Sequence, residues 1–150
     1  MRPGIESILM PNEGTAKKFS FDGSKRRPLE AAGKLIKVEG DSGPVIADWD
    51  GDGKPDLLSG AGDGSVVWYR NTGKKGAPEY QAGVEILHKS AGGYEKPVAH
   101  GGAPEGPGFR TKVHVTDWNG DGLPDLLVGD IWYESAPALT LTPEQTARRD

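Results

Sequence analysis

The stretch Ile46-Ala47-Asp48-Trp49-Asp50-Gly51-Asp52-Gly53-Lys54-Pro55-Asp56-Leu57-Leu58-Ser59-Gly60 decides how this chain reads, because it occurs twice. Sixty-nine residues on comes Val115-Thr116-Asp117-Trp118-Asn119-Gly120-Asp121-Gly122-Leu123-Pro124-Asp125-Leu126-Leu127-Val128-Gly129, identical at ten of fifteen positions. Each copy crowds side-chain oxygens into a nine-residue loop, 48–56 and 117–125. The oxygens fall at loop positions 1, 3, 5 and 9: Asp48, Asp50, Asp52 and Asp56 in the first, Asp117, Asn119, Asp121 and Asp125 in the second. Gly53 and Gly122, at position 6, permit the sharp turn that lets positions 1, 3 and 5 converge. Backbone carbonyls at position 7, Lys54 and Leu123, would complete an oxygen shell.

Oxygen-only donors at this density suit a hard cation, and carboxylates this close repel one another when left unneutralised. Calcium is favoured over magnesium because it accepts more oxygens in a looser geometry. Two bound dications would cancel the formal net charge of −4. The first loop offers four carboxylates and the second three with an amide, so the second is expected to bind more weakly. A helix-loop-helix site is disfavoured: it needs a bidentate Glu at position 12, where this chain has Ser59 and Val128, and the flanks read as strands.

Outward from the loops the pattern stays β. Short apolar runs at Leu35–Val38, Val45–Ala47, Leu57–Leu58, Val66–Arg70 and Val84–His88, and again at Lys112–Thr116, Leu126–Val128 and Ile131–Glu134, are separated by Gly, Pro and Asp clusters. Val67-Trp68-Tyr69 matches Ile131-Trp132-Tyr133 at a shorter offset, so the first copy carries a turn, Ala61-Gly62-Asp63-Gly64-Ser65, that the second lacks. The Asp63-Gly64 pair predicts a hairpin there. Lys74–Pro78 and Gly101–Gly108 read as loops, and Thr142-Pro143-Glu144-Gln145 as the start of a helix.

Asp-x-Asp-x-Asp-Gly-x-x-Asp-Leu-Leu-x-Gly from Asp48 to Gly60, followed by Val66 and then Tyr69-Arg70-Asn71-Thr72-Gly73, resembles the FG-GAP/VCBS-type repeat. That family builds β-propeller blades, as in the integrin α-subunit head and in many bacterial secreted proteins, and the Trp-Asp/Asn-Gly-Asp-Gly wording is close to the bacterial VCBS-like versions. The resemblance spans roughly residues 30 to 135. It implies that each acidic loop joins the first two strands of a blade and holds one calcium ion, two in all. The fold expectation is therefore all-β, with propeller-type blades of short antiparallel strands. Residues 1–29 form an N-terminal segment that could supply the last strand of a preceding blade, with a flanking strand near Phe19–Phe21. Residues 30–92 form a first blade, 93–136 a shortened second blade, and 137–150 a tail. Two copies cannot close a ring. The chain is then a partial propeller: a fragment, a unit that self-associates, or an open stack.

Composition narrows the function. Leu, Ile, Val and Phe supply only 29 of 150 residues against 23 Gly and 12 Pro, so bound metal or neighbouring chain is expected to help the fold. No run approaches the length of a membrane span, no basic patch points to nucleic acid, and the absence of Cys removes disulfide and thiolate chemistry. No apolar leader follows Met1-Arg2-Pro3-Gly4. His88, His100 and His114 lack zinc spacing, and no Ser/His/Asp arrangement stands out, so no catalytic residue is expected. Trp49 and Trp118, beside the metal positions, are expected to pack on strands, with sugar stacking as the other use. The expected role is a non-enzymatic, calcium-stabilised repeat module, extracellular or on the cell surface, serving adhesion, assembly or protein interaction. The alternative is an accessory or carbohydrate-binding part of a larger secreted enzyme.

Overall fold

The computed structural model describes residues 4–41, 43–89, 99, 101–102 and 106–136. Its centre is a four-stranded antiparallel sheet of β7 (Gly43–Ala47), β8 (Asp56–Gly60), β9 (Val66–Tyr69) and β10 (Val84–Leu87), each paired with its sequence neighbour. β8 lies inside this meander between two covered faces, and all five of its residues are buried, the polar Asp56 and Ser59 with the apolar Leu57 and Leu58. β7 is an edge strand and tolerates Pro44, which has no N–H to offer a ladder. The turn predicted at Asp63-Gly64 is present. Asp63 Oδ1 accepts from Ser65 N and Oγ at 3.0 and 2.7 Å, and Gly64 takes φ +95°.

Before the sheet come β1 (Gly4–Glu6), β2 (Ile8–Leu9), β3 (Arg27–Pro28), β4 (Glu30–Ala31), β5 (Lys34–Leu35) and β6 (Lys37–Glu39), with a 3-10 turn at Gly23–Lys25. β1 pairs with β6, β2 with β3, and β4 with β5. Residues 30–39 thus pair with one another and with the N-terminal segment, not with the four-stranded sheet. Tyr80 joins the two units, bridging to Ala31 on one side and Asn71 on the other. Phe21 makes a single bridge to Asn12 instead of a strand, and Phe19 and Phe21 are exposed. The polar chain around them is folded on the Asn12 side chain, whose Oδ1 accepts from Gly14 N and Ser20 N.

Alternation along β8 sends its side chains to opposite faces. Leu57 faces the N-terminal unit, in a cluster with Ala31, Ile36 and Tyr69 that Leu29, Val67 and Tyr80 extend. Gly60 faces the other way, towards a two-stranded sheet of β11 (Phe109–Thr116) and β12 (Asp125–Ile131). β11 lies so close that a Cβ on Gly60 would sit 2.1 Å from the Thr111 carbonyl oxygen. Thr111 N and Arg110 N bond to the carbonyls of Ala61 and Gly62 at 3.0 and 3.2 Å.

The second copy departs from expectation in its third strand. Ile131 ends β12, and of the stretch to Glu134 only Glu134 makes a bridge. The cause is the missing turn: without the residues that reverse the chain after Gly60, β12 runs straight through Gly129 to Ile131. Among the described residues the strands form this one four-stranded and four two-stranded sheets, none closed into a ring. No helix of the described residues is long and apolar enough to cross a membrane. His100 and the helix start expected at Thr142 lie outside the described residues.

Candidate metal site

Each acidic loop links two paired strands, β7 to β8 and β11 to β12. The two loops share one hydrogen-bond scheme. The position-1 carboxylate accepts from the position-6 glycine, Gly53 N to Asp48 Oδ2 and Gly122 N to Asp117 Oδ2, both at 2.9 Å. The position-3 side chain accepts from the position-5 amide: Asp52 N to Asp50 Oδ1 at 3.2 Å and Asp121 N to Asn119 Oδ1 at 2.8 Å. Position 5 accepts from position 7, Lys54 N to Asp52 Oδ1 at 2.9 Å and Leu123 N to Asp121 Oδ1 at 2.8 Å. Position 9 closes the loop by accepting from the position-2 tryptophan, Trp49 N to Asp56 Oδ2 at 3.3 Å and Trp118 N to Asp125 Oδ2 at 2.8 Å. The scheme needs left-handed backbone at positions 4 and 6, where Gly51, Gly53, Gly120 and Gly122 take φ between +75° and +87°. The position-4 glycines, Gly51 and Gly120, thus carry the same signal in the sequence as those at position 6.

In the first loop Asp48, Asp50 and Asp56 bring one carboxylate oxygen each to within 4.8 Å of one another, a cluster that can hold a metal ion. In the second loop Asn119 replaces the position-3 carboxylate, and Asp117, Asp121 and Asp125 do not converge into a cluster of that kind among the described residues. The donor set fits a hard cation on its chemistry, being all oxygen and mostly anionic.

Asp52 lies outside the cluster. Its Oδ2 meets Arg70 Nη2 at 3.3 Å and Lys54 Nζ at 3.9 Å. Arg70 also sets its Nε 2.5 Å from Asp50 Oδ2, an ion pair without the alignment of a hydrogen bond. The Asp50 charge first, then Asp52, holds the Arg70 guanidinium still more firmly protonated than usual. Arg70, just past β9, is the residue the sequence reading missed; its place in the Tyr69-Arg70-Asn71 run was the available signal. Glu134 stands at the matching position of the second copy and accepts from Gly101 N. Asp121 is held below the ordinary carboxylate range, mainly by the Leu123 N–H and then by the Asn119 amide.

Asp56 is the fixed point of the first loop. It is fully buried; its Oδ2 also accepts from the Trp68 indole at 2.9 Å, and its Oδ1 from Asn71 N at 2.7 Å. Asn71 is itself locked, donating from Nδ2 to the Pro55 carbonyl at 2.9 Å and accepting from Gly73 N and Glu79 N at 3.0 Å. The third strand therefore anchors the acidic loop from behind. Trp68 is committed to this anchor, Trp49 is half-buried, and Trp118 is 74% exposed.

A four-stranded antiparallel meander whose first turn is an acidic, glycine-bent loop defines a β-sheet repeat module. Residues 48–94, just under a third of the chain, match the family model for the FG-GAP-like repeat. The matched segment starts at Asp48, the first position of the acidic loop, and runs through β8, β9 and β10. No curated protein and no solved structure gives a significant match to the chain.

Proposed function

We propose that the chain is a calcium-stabilised, non-enzymatic module of β-propeller type, working outside the cell in adhesion, assembly or protein interaction. The observation that carries this reading is the cluster of Asp48, Asp50 and Asp56 in a loop whose hydrogen-bond scheme recurs in the second copy. A bound calcium would be held in the first loop by these three, with Asp52 and the Lys54 carbonyl, and in the second by Asp117, Asn119, Asp121, Asp125 and the Leu123 carbonyl. The ion would neutralise carboxylates and tie the turn between two strands. Its role is structural, since it binds the folded loop and not the unfolded chain.

The packing of β11 and β12 against one face of the four-stranded sheet supports the propeller reading. Gly60 is where β11 sits on the first sheet, whereas a Cβ on Gly129 would meet nothing within 4 Å among the described residues. Leu127, Val128 and Ile131 are exposed on β12. An additional blade, from more chain or from a second copy, would cover that surface.

Calorimetric titration with calcium tests the proposal, against magnesium as control. At ten times Kd, linkage gives about 1.4 kcal/mol per site, a rise in Tm of roughly 4 °C that EDTA removes. Asp50→Asn weakens the first site and Asn119→Asp strengthens the second. Calcium that leaves Tm unchanged defeats the reading. One observation favours the carbohydrate-binding alternative: Trp118 presents an indole that is 74% exposed. A glycan array comparing the protein with Trp118→Ala distinguishes the two.

A further inference from the structure

A cavity of about 760 Å³ lies between the N-terminal unit and the face of the four-stranded sheet that β11 does not cover. Its volume falls within the range of small-molecule sites. The walls are apolar, built from Ile8, Leu9 and Leu29 on one side and Ile46, Leu57 and Tyr80 on the other. Ile46 is 54% exposed although it sits mid-strand on this face, and Ile8 and Leu9 are exposed as well. Apolar side chains facing one another across an open groove are normally covered by something.

Two further features say what the occupant is. Ser7 lines the groove, is only 4% exposed, and its Oγ has no hydrogen-bond partner. With no partner for this hydroxyl, the wall beside Ile8 and Leu29 offers an occupant no strong polar anchor. The charged groups on the groove are all cationic: Lys54, Lys74 and Lys75, with no acidic residue among the described lining residues. In a chain with 22 Asp and Glu against 18 Lys and Arg this is a local reversal of sign. Lys54 stands near Asp52, whereas Lys74 and Lys75 form no ion pair among the described residues.

We propose that this groove binds an aliphatic carboxylate of fatty-acid type, its chain between Ile8, Leu29 and Ile46 and its acid group towards Lys74 and Lys75. The site is separate from the metal cluster, although Gly53, Lys54 and Pro55 of the loop form part of its wall. A second copy placing an apolar face in the groove is the competing occupant.

The test uses the whole chain with free calcium held at micromolar level, where the longer carboxylates do not precipitate as calcium soaps, and adds octanoate, decanoate and dodecanoate below their micellar concentrations, followed by calorimetry, with dodecyltrimethylammonium as the control of opposite charge. The expected result is saturable one-to-one binding of the carboxylates. Affinity should rise about tenfold for each two methylenes, as buried chain requires. Lys74→Glu with Lys75→Glu should weaken dodecanoate about tenfold or more and admit the cationic amphiphile. Ile46→Glu, at an exposed position, should abolish binding without unfolding the protein. The proposal is overturned by absence of saturable binding, by equal binding of both amphiphiles with no response to the lysine reversal, or by a dimer that Ile46→Glu dissociates in a protein that takes no dodecanoate.

Discussion

Two copies of nearly one sequence reach different ends in this molecule. The loops at 48–56 and 117–125 fold alike, with the same four hydrogen bonds and the same two left-handed glycines. Behind the loops the copies part. Asp56 is buried under Trp68 and Asn71, whereas Asp125 is half-buried and starts a strand with one neighbour. The loop conformation is local, written in Asx turns and glycines a few residues apart. Burial is not local, and depends on whether the chain turns back to supply a third strand.

The largest expected contrast is between the two position-9 carboxylates. Asp56→Ala removes the acceptor for Trp49 N, Trp68 Nε1 and Asn71 N in a dry interior, and should cost about 3–5 kcal/mol. Asp125→Ala leaves one backbone donor close to water and should cost about 1 kcal/mol. Urea unfolding in EDTA measures both without metal linkage. Equal losses would mean that the third strand does not anchor the first loop.

Next in size is the contrast between the glycines that end the repeats. Gly60→Ala places a methyl 2.1 Å from the Thr111 carbonyl oxygen, so β11 must lift off, at about 2–4 kcal/mol. Gly129→Ala meets open space among the described residues and should be neutral or stabilising by about 0.5 kcal/mol through the unfolded chain. If Gly129→Ala proves as damaging as Gly60→Ala, a further layer already covers β12.

The turn itself can be moved. Inserting Ala-Gly-Asp-Gly-Ser after Gly129 supplies the reversal that the second copy lacks. It should let Ile131-Trp132-Tyr133 fold back on β12, slowing amide exchange along Leu126–Val128. Deleting Ala61–Ser65 from the first copy should do the reverse, freeing β9 and exposing Asp56. Hydrogen exchange read by mass spectrometry compares the two changes directly.

This asymmetry also marks how far the sequence could be read. The loops, the hairpin at Asp63-Gly64 and the strands β7 to β10 were legible because each rests on local chemistry: glycine at forced φ, Asx turns and short apolar runs. The third strand of the second copy was misjudged because Ile131-Trp132-Tyr133 matches Val67-Trp68-Tyr69 in composition while lacking a way to turn. The pairing of β1 with β6, more than thirty residues away in the chain, left no periodic trace in segments two or three residues long. Arg70 went unread for a related reason. Its role depends on β9 ending beside the loop, a consequence of sheet register.

Arg70 yields the smallest effect and the sharpest one for the metal proposal. Its guanidinium lies against Asp50 and Asp52, two of the groups a calcium ion would use, so without metal it acts as an internal counter-cation. Calcium and Arg70 then compete for Asp50. Arg70→Gln should raise the calcium affinity of the first loop several-fold and lower the stability of the metal-free protein slightly, since the pair is solvent-screened. The second loop, with Glu134 at the corresponding position, should keep its affinity in that variant. A first-site affinity that falls when Arg70 is removed would show the arginine to be a positioning group for the carboxylates, holding Asp50 and Asp52 in place for the ion instead of standing in for it.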